Sequence, residues 1–109
     1  ITLFGTGEES RDFIYIDDLI ELIYLITVSD NFQSNVYNAA SGIETKIKKI
    51  AEIIQNFYPA KKINFSGQVR LGDPINWRAD ITKATNIGFK CKTSIEAGTE
   101  KYIHWFNHQ

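Results

Sequence analysis

A small mixed α/β fold is the architecture this sequence predicts, and three observations predict it. Short β-prone runs alternate with segments whose apolar residues recur at helical spacing, and Gly, Pro, Ser or Asp punctuates most junctions. The 109 residues are 43% hydrophobic and 23% charged, the composition of one globular domain spanning 1–109. A domain of that size is expected to bury most of its apolar surface without disulfide or metal staples.

Taken in order, Thr2 to Phe4 and Phe13 to Ile16 read as two strands joined by the polar, glycine-containing turn Gly5 to Ser10. Asp17 and Asp18 stand before Leu19, Ile20, Leu22, Ile23 and Ile26, so acidic residues able to cap precede a helix. The apolar face of that helix is wide, which predicts a well-buried element ending in the polar cluster Ser29 to Ser34. Val36 to Ala39 follows as a strand, closed by Ser41 and Gly42. Thr45 is the expected N-cap of a second helix, with Ile47, Ile50, Ala51, Ile53, Ile54 and Phe57 on one side and Pro59 ending it. Lys62 to Phe65 reads as a strand, and Gly67 to Trp77 as a loop. Asp80 is expected to cap a short helix through Thr85, with Gly88 just beyond its end. Ser94 is expected to cap a last helix whose face is Ile95, Thr99, Tyr102 and Phe106.

Composition removes several classes of function. Twelve basic against 13 acidic residues leave a net charge of −1, without the basic excess of a nucleic-acid binder. Cys91 is the only cysteine, so neither an internal disulfide nor a Cys-rich zinc site can form. The apolar stretch Leu19 to Val28 is interrupted by Glu21 and too short to span a bilayer. A cytoplasmic chain is the expectation. The lack of any Met and the opening at Ile1 within an apolar run read as a piece of something longer.

Four motifs invite chemistry and are set aside. Gly5-Thr6-Gly7-Glu8-Glu9-Ser10 lacks the third glycine of the dinucleotide fingerprint, and a strand rather than a helix follows it. Tyr58 and Lys62 have Tyr-x-x-x-Lys spacing, but Pro59 breaks the helix that would align them. His104 and His108 could share a helical face, yet they have no third ligand in sequence. Asn64-Phe65-Ser66 matches a glycosylation acceptor in a chain with no other sign of secretion.

A dispersed constellation carries more. Arg11 opens the run Arg11-Asp12-Phe13-Ile14-Tyr15-Ile16-Asp17-Asp18, and Arg70-Leu71-Gly72-Asp73-Pro74 lies far downstream in a loop. Arginine presents a planar fork of donors matched to phosphate oxygens. Glycine lets backbone approach a ligand closely, and aspartate can accept from ribose hydroxyls. A surface pairing of Arg11 with Asp12 or Asp17 is an equally open reading of the same residues.

Those residues bear a family resemblance. Gly5-x-Gly7 followed by RDFIYIDD resembles the G-x-G-x-x-x-R-D-[FY]-x-x-V-x-D segment of extended short-chain dehydrogenase/reductases that act on nucleotide sugars. Val36-Tyr37-Asn38-Ala39-Ala40-Ser41-Gly42, Arg70-x-Gly72-Asp73, Ala79-Asp80-Ile81-Thr82-Lys83-Ala84 and Ile87-Gly88-Phe89-Lys90 resemble its later motifs, in order. Cys91 or Lys92 stands where the family usually has proline. The UDP-glucose 4-epimerase-like branch is nearest, on the form of the R-x-G-D loop.

The resemblance implies a C-terminal, nucleotide-sugar-binding subdomain whose cofactor-binding Rossmann half is absent. Arg11 and Arg70 would hold the nucleotide pyrophosphate, Asp73 with Gly72 the ribose, and the strand ending at Phe4 the surroundings of the base. It also implies that NAD, the catalytic Tyr-x-x-x-Lys pair and hydride transfer belong to that other half. This chain would then bind no cofactor, hold no catalytic residue and no metal, and position the substrate. Its expected partners are the nucleotide sugar, the Rossmann half, and further copies of itself through an exposed apolar face. No nucleic acid and no membrane are expected. The alternative is a free-standing, non-catalytic nucleotide-binding or protein-interaction module.

Overall fold

The structure is a computed structural model, and it describes residues 1–29 and 34–109. Among the described residues, two small ribbons and four helices are built from β1 (Thr2–Leu3), β2 (Ser10–Asp12), α1 (Ile16–Ser29), β3 (Glu44–Lys46), α2 (Ile47–Phe57), β4 (Asn64–Phe65), α3 (Thr82–Asn86) and α4 (Ile95–Phe106). The predicted mixed α/β class is what forms.

The first two strands do not pair with each other. β1 lies parallel to β4, with Thr2 opposite Asn64 and Leu3 opposite Phe65. β2 lies antiparallel to β3, with Arg11 opposite Thr45 and Asp12 opposite Glu44. The second strand also sits earlier than the expected Phe13 to Ile16, because α1 already begins at Ile16. Between the ribbons, Gly7 approaches Phe65 so closely that a Cβ there would lie 2.8 Å from the ring, and its φ is +84°. Only glycine fits that crossing.

Helix ends follow local chemistry in three cases and tertiary chemistry in one. Asp17 and Asp18 occupy the first turn of α1, where carboxylates meet the positive end of the helix dipole. Residues 30–33 of the polar cluster expected to end it lie outside the described residues. Asp80 Oδ1 accepts from the Thr82 amide at 2.9 Å and its hydroxyl at 2.6 Å, opening α3. Beyond its end, Gly88 takes φ +96° while the Phe89 amide donates back to the Ala84 carbonyl. Ser94 Oγ accepts from the Ala97 amide at 3.2 Å, the expected cap of α4. α2 differs. Thr45 is buried in β3 and caps nothing; the amides of Ile47 and Lys48 donate instead to the carbonyls of Glu9 and Gly7, at 2.8 and 2.9 Å. A backbone loop satisfies donors that the sequence reading gave to a side chain.

Two further expectations are corrected. Val36 to Ala39 forms no strand; its ties include the Asn38 side-chain amide donating to the Asp80 carbonyl at 2.9 Å and Lys83 Nζ donating to the Val36 carbonyl at 3.3 Å. On α4 the buried residues are Gly98 and Ile103, while Tyr102 and Phe106 are more than half exposed. Gly98 is inward because Tyr15 crosses there, 3.3 Å from where a Cβ would stand.

The core gathers around Leu22, Ala84 and Phe89, with Ile14, Leu25, Ile26, Ile81 and Ile87 packed against it. That is a small core. α1 was expected to be well buried, yet only Asp18 and Leu22 are, and Ile16, Ile20, Ile23 and Tyr24 are each more than half exposed. The molecule is a plate, 49 × 38 × 19 Å with a radius of gyration of 16.3 Å, against about 13 Å for a compact domain of this length.

Candidate functional site

Arg11 stands on β2 at the edge of a cleft of about 370 Å³, whose walls include Asp12, Tyr37, Asn38, Trp77 and Ala79. Its Nη1 donates to the Ser10 carbonyl at 2.6 Å and to the Pro74 carbonyl at 3.0 Å. Its guanidinium carbon lies 5.7 Å from the centre of the Trp77 ring. Pairing with Asp12 or Asp17 is therefore not what holds it. A guanidinium carries five N–H donors, and the two carbonyls engage one terminal nitrogen. Among the described residues, Nε and Nη2 meet no protein acceptor.

Asp12 plays a different part. Its carboxylate accepts from the Ser41 amide (2.8 Å), the Ser41 hydroxyl (2.6 Å), the Gly42 amide (3.0 Å) and the Ala79 amide (3.1 Å). One side chain thus ties β2 to the Ser41-Gly42 turn and to the segment entering α3. Asp18 does the same on the far side of α1, accepting from the amides of Lys92 (3.2 Å) and Thr93 (3.0 Å) and from Cys91 Sγ (3.4 Å). Burial pushes the Asp18 carboxyl upward, but the Thr93 and Lys92 amides outweigh it and leave its pKa lowered. The Cys91 thiol is pushed up, by burial first and by Asp18 next, so it is a packed thiol rather than a nucleophile. The sequence reading missed both carboxylates as ties. Their signal was a carboxylate just after Arg11 and just inside a helix, each able to reach a distant turn.

The remaining predicted residues sit on the exposed loop after β4. The Asp73 amide donates to the Arg70 carbonyl at 3.2 Å, and Gly72 takes φ +90° within that turn. Arg70 lies 5.0 Å from the centre of the Phe4 ring, just beyond the end of β1. Arg70, Gly72, Asp73 and Phe4 do not line the Arg11 cleft. The structure therefore joins Arg11 to the loop through Pro74, and joins Arg70 to Phe4, without bringing the two arginines into one cavity.

The segments that mimic cofactor chemistry do not fit it. The Glu9 carboxylate occupies the amides of Thr6 (2.9 Å) and Gly7 (2.8 Å), the donors a dinucleotide pyrophosphate would need. Those amides, the Thr6 amide foremost, lower the Glu9 pKa. Strand β2 follows, with no helix to receive the phosphates. Tyr58 caps the end of α2, and its hydroxyl donates to Asn107 Oδ1 at 2.7 Å. The rings of His104 and His108 are 4.3 Å apart, but no group of three or more metal-ligating side chains occurs among the described residues. Glu8 bridges Lys46 and Lys48 at the surface, and those two contacts, Lys46 first, bring its pKa down to about 2. No described helix is long and apolar enough to cross a membrane.

Comparison with known proteins adds to this geometry. Residues 1–40 match the NAD dependent epimerase/dehydratase family. Over 96% of its length the chain is 29% identical to dTDP-L-rhamnose 4-epimerase of Burkholderia thailandensis, of which it covers 29%. It spans about a third of the length of the curated relatives it matches. Among solved structures, UDP-glucose 4-epimerase of Thermotoga maritima, determined with UDP-glucose, is 25% identical with a TM-score of 0.81, over 99% of this chain and 35% of that one. MoeE5, in complex with UDP-glucuronic acid and NAD, has the same fold at 22% identity, with a TM-score of 0.85 over 99% of this chain and 36% of that one.

Proposed function

We propose that the chain, which matches the NAD dependent epimerase/dehydratase family over residues 1–40 and spans about a third of the length of its relatives, grips the diphosphate of a nucleotide sugar. Arg11 is the principal phosphate donor, Arg70 a second, and Asp73 with Gly72 receives the ribose, while Phe4 flanks the base. The observation that carries this reading is the state of Arg11 at the cleft wall: one terminal nitrogen is fixed by two carbonyls, and among the described residues the rest of the fork meets no acceptor. A donor held in place before the ligand arrives loses less freedom on binding.

Arg70 and Asp73 complete the grip on a loop that is exposed throughout. Closure of that loop on the ligand would bring them toward the Arg11 cleft, with Pro74 as the fixed end. The wider enzyme would abstract and return hydride through NAD, which is the chemistry the cofactor supplies. In that enzyme the residues here hold and orient the substrate through its remote nucleotide, so that binding energy far from the sugar fixes the reacting carbon. The exposed stripe Ile16, Ile20, Ile23 and Tyr24 is the face on which the cofactor-binding portion of such an enzyme would dock.

UDP titrated into the isotopically labelled chain, followed by amide shifts, tests the reading. Shifts are expected at Arg11, Asn38 and the 70–77 loop. Arg11→Ala is expected to weaken binding by about 1.5–3 kcal/mol, roughly 10- to 150-fold, the worth of charge-assisted hydrogen bonds. Unchanged affinity in that variant would remove Arg11 from the site.

A further inference from the structure

Two carbonyls on one terminal nitrogen pin a guanidinium at one end and leave its plane free to rock about that end. A planar donor fork discriminates phosphate geometry only when its plane is set. A second constraint is present, and it comes from the same short segment. Pro74 accepts from Arg11, Ile75 accepts from the Ser10 amide at 2.8 Å, and the Asn76 side chain meets Ser10 Oγ at 3.4 Å. Trp77 then lies against the Arg11 guanidinium. Residues 74–77 are thereby laid along β2 one after another. Trp77 is 56% exposed, so core burial does not explain its position, and it lines the same cleft as Arg11.

We propose that Trp77 is the positioning residue of Arg11, its indole face setting the guanidinium plane so that the free Nε and Nη2 donors meet the phosphate oxygens of a nucleoside diphosphate. The inference rests on the phosphate-gripping function above and adds the residue that makes Arg11 selective for it. The physical basis is the attraction of a cation to the indole quadrupole, which persists at exposed sites. Arg70 repeats the arrangement on Phe4 at 5.0 Å, but without carbonyls on its guanidinium among the described residues. Of these two arginines, Arg11 is the one held from two directions among the described residues.

A double-mutant cycle read by titration with inorganic pyrophosphate tests this. Trp77→Phe, which keeps a ring, is expected to bind within about twofold of the parent chain. Trp77→Ala is expected to bind about two- to fivefold more weakly. In an Arg11→Ala background the same Trp77→Ala change is expected to cost nothing further, because the residue acts through Arg11. In the ligand-free chain, Trp77→Ala is expected to abolish the ring-current displacement of the Arg11 Nε–H resonance, a readout independent of any ligand. Thermal melting of each variant confirms that the exposed substitution leaves the fold intact. If Trp77→Ala weakens binding equally with and without Arg11, Trp77 acts on its own and the inference is wrong. If Trp77→Ala leaves affinity untouched while Arg11→Ala reduces it, the inference also fails but the phosphate grip stands. If neither variant changes affinity, or the parent chain binds no pyrophosphate, the functional reading fails with it.

Discussion

At the residue scale, the neighbours Arg11 and Asp12 divide two tasks that sequence alone runs together. Arg11 keeps part of its donor fork free, whereas every acceptor contact of Asp12 goes to its own chain. Replacing Asp12 by Ala would leave the amides of Ser41, Gly42 and Ala79 without their acceptor. The expected loss is about 1.5–3 kcal/mol, read as a lower urea midpoint; an unchanged midpoint would mean that water replaces the carboxylate. Asp18 makes a pH-dependent prediction. Against the upward push of burial, the Thr93 and Lys92 amides lower its folded pKa below the usual carboxylate range, so its contribution is complete above the unfolded carboxylate range and fades as pH falls through the lower folded value. Asp18→Asn is therefore expected to be less stable than the parent at pH 7, with the gap closing below about pH 4. Equal urea midpoints at pH 7 would show that Asp18 contributes nothing. At this scale the sequence disclosed Arg11 and the Arg70-x-Gly72-Asp73 loop through their motifs. It could not disclose the Asp12 and Asp18 ties, because their partners lie between 29 and 75 residues away, nor that Arg11 and Arg70 stand in different surroundings.

At the scale of elements, what was legible was whatever local chemistry controls. Ser94 caps α4 through its own side chain, and Gly88 closes α3 with a backbone conformation that disfavours other residues. The start of α2 was misread at Thr45 because its donors are met by Gly7 and Glu9 across the chain, a solution with no local signature. Val36 to Ala39 was misread because β-propensity describes a side chain that suits a pleated surface, and the fold offers that segment no neighbouring strand among the described residues. The contrast gives an element-level prediction. Ser94→Ala removes the side-chain cap of α4, and is expected to cost about 1 kcal/mol. Amide exchange should rise at Glu96 and Ala97 while the β2–β3 ribbon stays protected. Uniform loss of protection would mean that α4 unfolds only with the whole chain.

At the scale of the whole molecule, the plate shape and the exposed apolar side chains are one fact. The chain exposes 7856 Å², against about 6,200 Å² for a compact monomer of 12.5 kDa. The surplus of roughly 1,700 Å² exceeds the ~800 Å² that each partner contributes to a standard interface. Sequence periodicity had marked α1 as an element that buries a wide apolar face; periodicity identifies such a face without saying what covers it. Here the chain covers Leu22 and leaves Ile16, Ile20, Ile23 and Tyr24 to solvent. A stripe of that kind, exposed on one face of α1, should associate, either with further copies or with another protein surface. Sedimentation velocity is expected to show concentration-dependent association at micromolar to millimolar chain. The double change Ile20→Glu and Ile23→Lys is expected to suppress it without unfolding the core, since neither side chain belongs to the Leu22 cluster. Their charges would oppose desolvation of the stripe rather than alter the fold. A parent chain that stays monomeric throughout would show that the surplus surface is tolerated in water, and the docking face on α1 would have to be withdrawn. Association that persists unchanged in the double variant would move the interface away from α1, toward the exposed aromatic cluster of Tyr102, Trp105 and Phe106 on α4.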